Sequence, residues 1–306
     1  MCGRYVVVTE TAVVAKKFNV HVPPEVHIQP NFNVAAGDTA PVITCEDPTV
    51  LQNFTFGYTP SWSKKKTYVI NARSEGDHNK ENRPDYRGAK GIISKPFYRQ
   101  SIRSKRCLVI ADAFIEGTTK EKLSKPFLVH MLNKRRPFAF AGLYDEWIDP
   151  SSGEILNTFA IITCPPNQLM RKIPHHRMPV ILDEKDYGIY LDQSAPLQEI
   201  TELLVPYDHK LMNAYPISDD VKNPCNKGAD LVAPLGNLLQ EEFKIEHQQK
   251  SILQGMGMSP SRRRKLTDED KIEGYDSIEQ EVDQASDEMK KSRSKKNDNP
   301  NQQGHQ

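Results

Sequence analysis

Cys2 directly follows Met1, and a small side chain at position two generally permits removal of the initiator methionine. A chain that then begins with cysteine carries an α-amine and a thiol on adjacent carbons. Both can attack one aldehyde carbon and close a five-membered thiazolidine. With ordinary pKa values of about 7.7–8.0 for the amine and about 8.5 for the thiol, a usable fraction of each is nucleophilic at neutral pH. The other cysteines, Cys45, Cys107, Cys164 and Cys225, sit in or beside apolar runs or a turn, where the expectation is a small buried hydrophobe. Five cysteines without a CxxC pair argue against a disulfide framework or a zinc finger. His175 and His176 are adjacent, which on an extended segment turns their rings to opposite faces, and no third ligand has suitable spacing. No metal and no other cofactor is therefore expected. Trp62 borders Lys64-Lys65-Lys66 after a Pro-Ser turn. Basic side chains beside aromatic rings suit single-stranded nucleic acid, since the charges follow the backbone while bases stack without strict sequence preference. Phe114 is expected in the core.

These residues need a frame, and the 306-residue chain, 37% hydrophobic and 26% charged, has the length for one large domain or two small ones. No run approaches the roughly 18 apolar residues of a membrane span, and the start lacks the layout of a signal peptide, so an intracellular, cytoplasmic protein is expected. The formal net charge is +1. Residues 241–306 hold 12 basic and 14 acidic residues, leaving the first 240 mildly positive. That positive charge is bunched at Lys64 to Lys66, Arg103 to Arg106, Lys134 to Arg136, and Arg171-Lys172. Short β-rich runs recur at Arg4–Val8, Val50–Thr55, Lys105–Ile110, Phe127–Leu132, Phe138–Gly142 and Thr158–Thr163. Helical patterning is confined to Glu10–Phe18, with Thr9 as N-cap, and to Glu184–Leu191 and Leu197–Leu204. Strands and helices do not alternate regularly, which points to an α+β fold with a curled, barrel-like, mostly antiparallel sheet and a few flanking helices. The domain is expected over 2–240, followed by a disordered polar tail over 241–306.

Met1-Cys2-Gly3-Arg4-Tyr5 resembles the start of the SRAP (SOS response-associated peptidase) family, whose members shield abasic sites in single-stranded DNA. Further blocks follow in the family's order. They are Phe32-Asn33-Val34-Ala35-Ala36-Gly37, Gly57-Tyr58-Thr59-Pro60-Ser61-Trp62 leading to Ile70-Asn71-Ala72-Arg73-Ser74-Glu75, Arg106 through Glu116, and His175-His176-Arg177-Met178-Pro179-Val180-Ile181-Leu182. The resemblance spans roughly residues 2–235. It departs at Gly117, where the family commonly has an aromatic residue, usually Trp, and at Pro174, where an aliphatic residue is usual.

The resemblance implies catalytic roles for Cys2, Asn71, Glu116 and His175. Cys2 would cross-link to the ring-opened aldehyde of an abasic site, first as an imine and then as the thiazolidine. Glu116 would hold and deprotonate the terminal amine, and His175 would move protons during ring opening and imine formation. Asn71 would hold the open-chain sugar through its amide. Arg4, Arg73 and Arg177 would grip phosphates, with Trp62 stacking on an unpaired base. The expected partner is single-stranded DNA containing abasic sites, with no membrane, and the protein is expected to act as a DNA-associated monomer. Self-removal of Met1 (a hydrolase step) and a lyase side reaction at the imine belong to the same expectation. Two other readings stay open: an N-terminal-nucleophile peptidase using the same residues for acyl transfer, and a non-enzymatic single-stranded DNA-binding module in which Cys2 is incidental.

Overall fold

The computed structural model describes residues 3–132 and 135–240. Thirteen strands form among them: β1 (Arg4–Val7), β2 (Asn31–Val34), β3 (Thr39–Thr44), β4 (Leu51–Phe56), β5 (Asn71–Arg73), β6 (Arg106–Ala111), β7 (Ala113–Thr118), β8 (Lys122–Met131), β9 (Phe138–Ile148), β10 (Ile155–Cys164), β11 (Met178–Pro179), β12 (Ile181–Leu182) and β13 (Met212–Pro216). The helices are short: α1 (Thr11–Phe18), α2 (Ser101–Ser104), α3 (Gln168–Lys172), α4 (Tyr187–Leu191) and α5 (Leu197–Glu202). All six strands expected from β-rich runs are present, as is the helix ending at Phe18. Thr9 is not its N-cap. Glu10 takes that position without a side-chain cap, because the Thr9 hydroxyl is committed to the buried carboxylate of Asp112.

Pairing closes a ring, β3–β4–β10–β9–β6 and back to β3, so the curled sheet is a five-stranded barrel. The β4–β10 pair is parallel and the other four are antiparallel. A second, antiparallel sheet runs β2–β1–β7–β8–β13. Between β6 of the barrel and β7 of the sheet lies a single residue, Asp112, whose carboxylate accepts the Val8 and Thr9 amides at 2.6 and 2.9 Å. Aromatic rings join the layers. Tyr5 packs edge-on against Phe56 and Phe140, and Phe114, fully buried as expected, packs edge-on against Phe140.

The described residues through Leu239 belong to one compact unit; the tail expected at 241–306 lies outside the described residues. No helix among the described residues is long and apolar enough to cross a membrane.

Candidate functional site

Strand pairing brings distant sequence blocks together. β1 lies between β2 and β7, with Tyr5 opposite Val34 and Arg4 opposite Ile115. The C-terminal end of β10 lies between β5 and β11, so that Thr163 is in register with both Arg73 and Pro179. The two clusters meet where Glu116 of β7 faces His175, which precedes β11. Glu116 Oε2 is 3.3 Å from His175 Nε2, and both side chains are buried, 4% and 3% exposed. The other imidazole nitrogen, Nδ1, is 2.8 Å from the Arg177 carbonyl. A carbonyl only accepts, so Nδ1 carries a proton, and the Nε2–Oε2 contact then holds one shared proton, on the imidazole or on the carboxyl. The second Glu116 oxygen, Oε1, is buried without a hydrogen-bond partner. A buried acceptor left open is uncommon in a folded protein and marks a place where a donor belongs.

The neighbouring acid–base pair corrects one expectation. Arg177 does not offer its fork to a phosphate: Nη1 and Nη2 donate to Glu75 Oε1 and Oε2 at 2.6 and 2.9 Å, and Nη2 also reaches Thr163 Oγ1 at 2.9 Å. The fork–fork geometry matches carboxylate and guanidinium in charge and shape, and both groups are buried. Burial alone would raise the Glu75 pKa, but the hydrogen bonds and charge of Arg177 hold it below the ordinary value. Arg73, half-buried, donates to the Asn79 carbonyl through Nη2 and leaves Nε without a partner. Its pKa is lowered by burial and then by the charge of Arg177. Two guanidinium groups close enough to repel favour an anion beside them. Arg4 donates to Asn33 Oδ1 and to the Lys222 carbonyl, both at 3.1 Å. Asn71 opens β5, where the Tyr98 hydroxyl donates to its carbonyl at 3.2 Å and its own Nδ2 lies 3.0 Å from the Ile70 carbonyl.

The two histidines do not turn to opposite faces. The segment bends back after α3, with the His175 amide donating to Met170 at 3.0 Å, and the imidazoles stack with centroids 5.2 Å apart and planes 20° apart. Burial, and then the charge of His175, hold His176 below the ordinary imidazole pKa. Among the described residues no three His, Cys, Asp or Glu side chains group as a metal site. Cys45, Cys107 and Cys164 are buried, but Cys225 is exposed, because it lies in an irregular loop and not in a strand. Arg106 leaves the basic clusters, being buried and donating to the carbonyls of Ile102, Tyr190 and Asp192. Cys2 lies outside the described residues, as does Lys134.

Trp62 is held outward, 61% exposed, on the loop between β4 and β5. The loop backbone is pinned beneath it: Ser61 N–H donates to buried Asp145 at 2.8 Å, and Trp147 Nε1 donates to the Ser63 carbonyl at 2.7 Å. Lys64, Lys65 and Lys66 follow, all exposed. Sequence reasoning assigned no role to Glu75, Asn33 or Asp145. The first two stand inside the quoted blocks. Asp145 follows the apolar run from Phe138 to Tyr144 and had no local signal.

Gly117 explains the absent aromatic. A Cβ there would lie 1.6 Å from the Lys122 carbonyl oxygen and 2.2 Å from its carbon, because the β7–β8 pairing shifts register at this point and folds the hairpin over it.

The family model for the SOS response associated peptidase (SRAP) matches residues 1–224. Among curated proteins, the abasic site processing protein YoqW of Bacillus subtilis is 33% identical over 76% of this chain and 99% of its own length. The abasic site processing protein HMCES of Gallus gallus is 25% identical over 74% of this chain and 72% of its own. A solved structure from Bacteroides thetaiotaomicron superposes with a TM-score of 0.64 at 27% identity, covering 77% of this chain and all of that one. With a family match over more than two thirds of its length and a relative at one-third identity, the chain belongs to the SRAP family.

Proposed function

We propose that this protein processes abasic sites in single-stranded DNA, and that Cys2, once Met1 is removed, captures the lesion covalently. The α-amine adds to the aldehyde carbon of the ring-opened sugar and water leaves, giving an imine. The thiol sulfur then adds to the imine carbon while the thiol proton passes to nitrogen, closing the thiazolidine with no oxidant or reductant consumed. In this reading Glu116 takes the proton that makes the amine nucleophilic, and the His175 imidazole returns protons to the sugar ring oxygen and to the departing hydroxyl.

The observation that carries the reading is the buried Glu116–His175 pair with its open oxygen, Oε1. The β1–β7 register that pairs Arg4 with Ile115 runs toward Glu116 as β1 is followed back to its start. Successive Cα atoms lie about 3.8 Å apart, so residue 2 belongs within one peptide link of Gly3. An ammonium or amine is the kind of donor the unpartnered oxygen lacks. The names of the relatives, abasic site processing proteins, support the same substrate class. Arg4, Arg73 through its open Nε, Asn71 and Trp62 are proposed to hold the strand, with Arg177 supporting them through Glu75.

The test is a denaturing gel of the protein mixed with a single-stranded oligonucleotide bearing one abasic site. A slowly migrating adduct is expected from wild type and not from Cys2→Ala, and the intact mass of the purified protein should show Met1 absent. An adduct undiminished in Cys2→Ala, or a chain still carrying Met1 that cross-links at full rate, would falsify the mechanism. Retardation of intact strands with no denaturation-resistant band would leave a binding module instead.

A further inference from the structure

The hairpin between β7 and β8 reaches across to the segment that carries His175. Thr119, at its tip, donates its N–H to the Pro174 carbonyl at 3.1 Å. Its hydroxyl oxygen lies 2.9 Å from the same carbonyl and 2.7 Å from His176 Nδ1. A hydroxyl has one proton to give and a carbonyl can only accept. The Thr119 proton therefore goes to Pro174, and His176 Nδ1 must donate to the Thr119 oxygen. Each of the two stacked rings is thus tied at Nδ1, His176 to Thr119 and His175 to the Arg177 carbonyl. Thr119 is exposed and His176 only half-buried, so neither is needed to fill the core.

We propose that Thr119 and His176 are positioning residues: the hairpin tip clasps the 174–177 segment, and His176, anchored on Thr119, fixes the His175 ring so that its Nε2 meets Glu116. The consequence for rate rests on the cross-linking reading, whereas the clasp itself belongs to the protein without DNA. Its value follows from geometry. The Glu116–His175 contact is already 3.3 Å long, and proton transfer loses efficiency steeply with small displacements. Gly117 is part of the same device. The hairpin doubles back over residue 117 closely enough that any side chain would strike the Lys122 backbone, so the missing aromatic and the clasp have one structural cause.

The experiment compares full-length wild type, Thr119→Val and Thr119→Ser, by single-turnover cross-linking to an abasic oligonucleotide, by affinity for the same strand without the lesion, and by imidazole nitrogen–proton NMR without DNA. Thr119→Val should slow cross-linking by about ten- to a hundredfold, with affinity for the intact strand within twofold. It should also shift the ring resonances of both His175 and His176, and Thr119→Ser should restore rate and resonances. Unchanged His175 resonances in Thr119→Val overturn the clasp. Shifted resonances with an unchanged rate, or equal losses in rate and affinity, overturn the positioning role. If wild type itself forms no adduct, the cross-linking reading fails, while the NMR comparison still decides whether the clasp exists.

Discussion

Two buried glutamates each face a base from the same short segment, residues 175–177, and they are bonded in opposite ways. Glu75 is saturated. Its two oxygens accept the Arg177 fork, the Ser74 hydroxyl at 3.0 Å and Asn79 Nδ2 at 3.4 Å. Glu116 is half-bonded, with one oxygen on His175 and the other on nothing. Saturation makes a buried charge part of the frame, because every favourable contact is lost if it moves or changes protonation. An open oxygen leaves a carboxylate that can still take up an arriving donor. The contrast separates a brace from a reactive group at sites only two residues apart in their partners.

The strongest test of that contrast is Glu116→Gln. General acid–base catalysis contributes about a hundred- to ten-thousandfold, so the cross-linking rate should fall within that range while affinity for an intact strand holds. Stability should change by less than about 1 kcal/mol or improve, because the variant removes a buried charge that lacks half its partners. A urea midpoint lowered as far as in a Glu75 variant would erase the distinction between the two residues.

Arg177→Met should have the next largest effect, now on stability. Removing one partner of a buried ion pair leaves the other uncompensated and costs about 3–5 kcal/mol, read as a lowered denaturation midpoint. The pH dependence has a definite sign. The folded pKa of Glu75 lies below its ordinary value of 4.5, so its contribution is present above that value and is lost as pH falls through the lower, folded one. Between pH 7 and 3, the stability advantage of wild type over Glu75→Gln should therefore shrink. A constant gap across that range would show that the Arg177 fork does not stabilise the charged form.

The contrast also marks what could be read from the sequence. Glu116 and His175 could be picked out because each stands in a short block that resembles the SRAP family. Glu75 stands in such a block too, but what makes it a brace is Arg177, 102 positions away, and no local spacing carries that information. The same holds for the fold. Long apolar runs such as those in β6, β9 and β10 announce themselves, while β5 and β11, three and two residues long, exist only because β10 pairs with them. Closure of the barrel depends on a parallel β4–β10 pairing that no hairpin turn predicts. Stacking of His175 on His176 contradicts the alternation expected of extended chain because a bend after α3 supersedes it.

Gly117→Ala acts next to Glu116 and not on Glu75, so it should disturb one side of the comparison alone. A Cβ placed 1.6 Å from the Lys122 carbonyl must push the β7–β8 hairpin open, at about 1–3 kcal/mol as for other overpacked sites. The His175 resonances should shift with the hairpin, whereas hydrogen exchange around Ser74 and Arg177 should match wild type. Protection lost equally in both places would mean that the two glutamates share one cooperative unit.

Trp62 extends the same rule beyond carboxylates. Around it every element of the frame is bonded: the Ser61 amide to Asp145, the Ser63 carbonyl to Trp147, and the Thr59 hydroxyl to the Thr67 carbonyl at 2.6 Å. Among the described residues the ring has one aromatic neighbour, Phe97, met edge-on with centroids 5.6 Å apart. A rigid loop presenting a bare aromatic beside three lysines has little to lose in stability and a base face to gain on binding. Trp62→Ala should leave the denaturation midpoint near wild type and weaken single-strand affinity by about 1–3 kcal/mol, the range for one stacked base. Trp62→Phe should recover part of the loss, since a smaller ring still offers a face. Asp145→Asn discriminates further, because it leaves the ring intact and weakens its anchor. If Trp62 works as a fixed platform, that substitution should lower affinity without touching the ring; if affinity is unchanged, the ring finds its base without the frame.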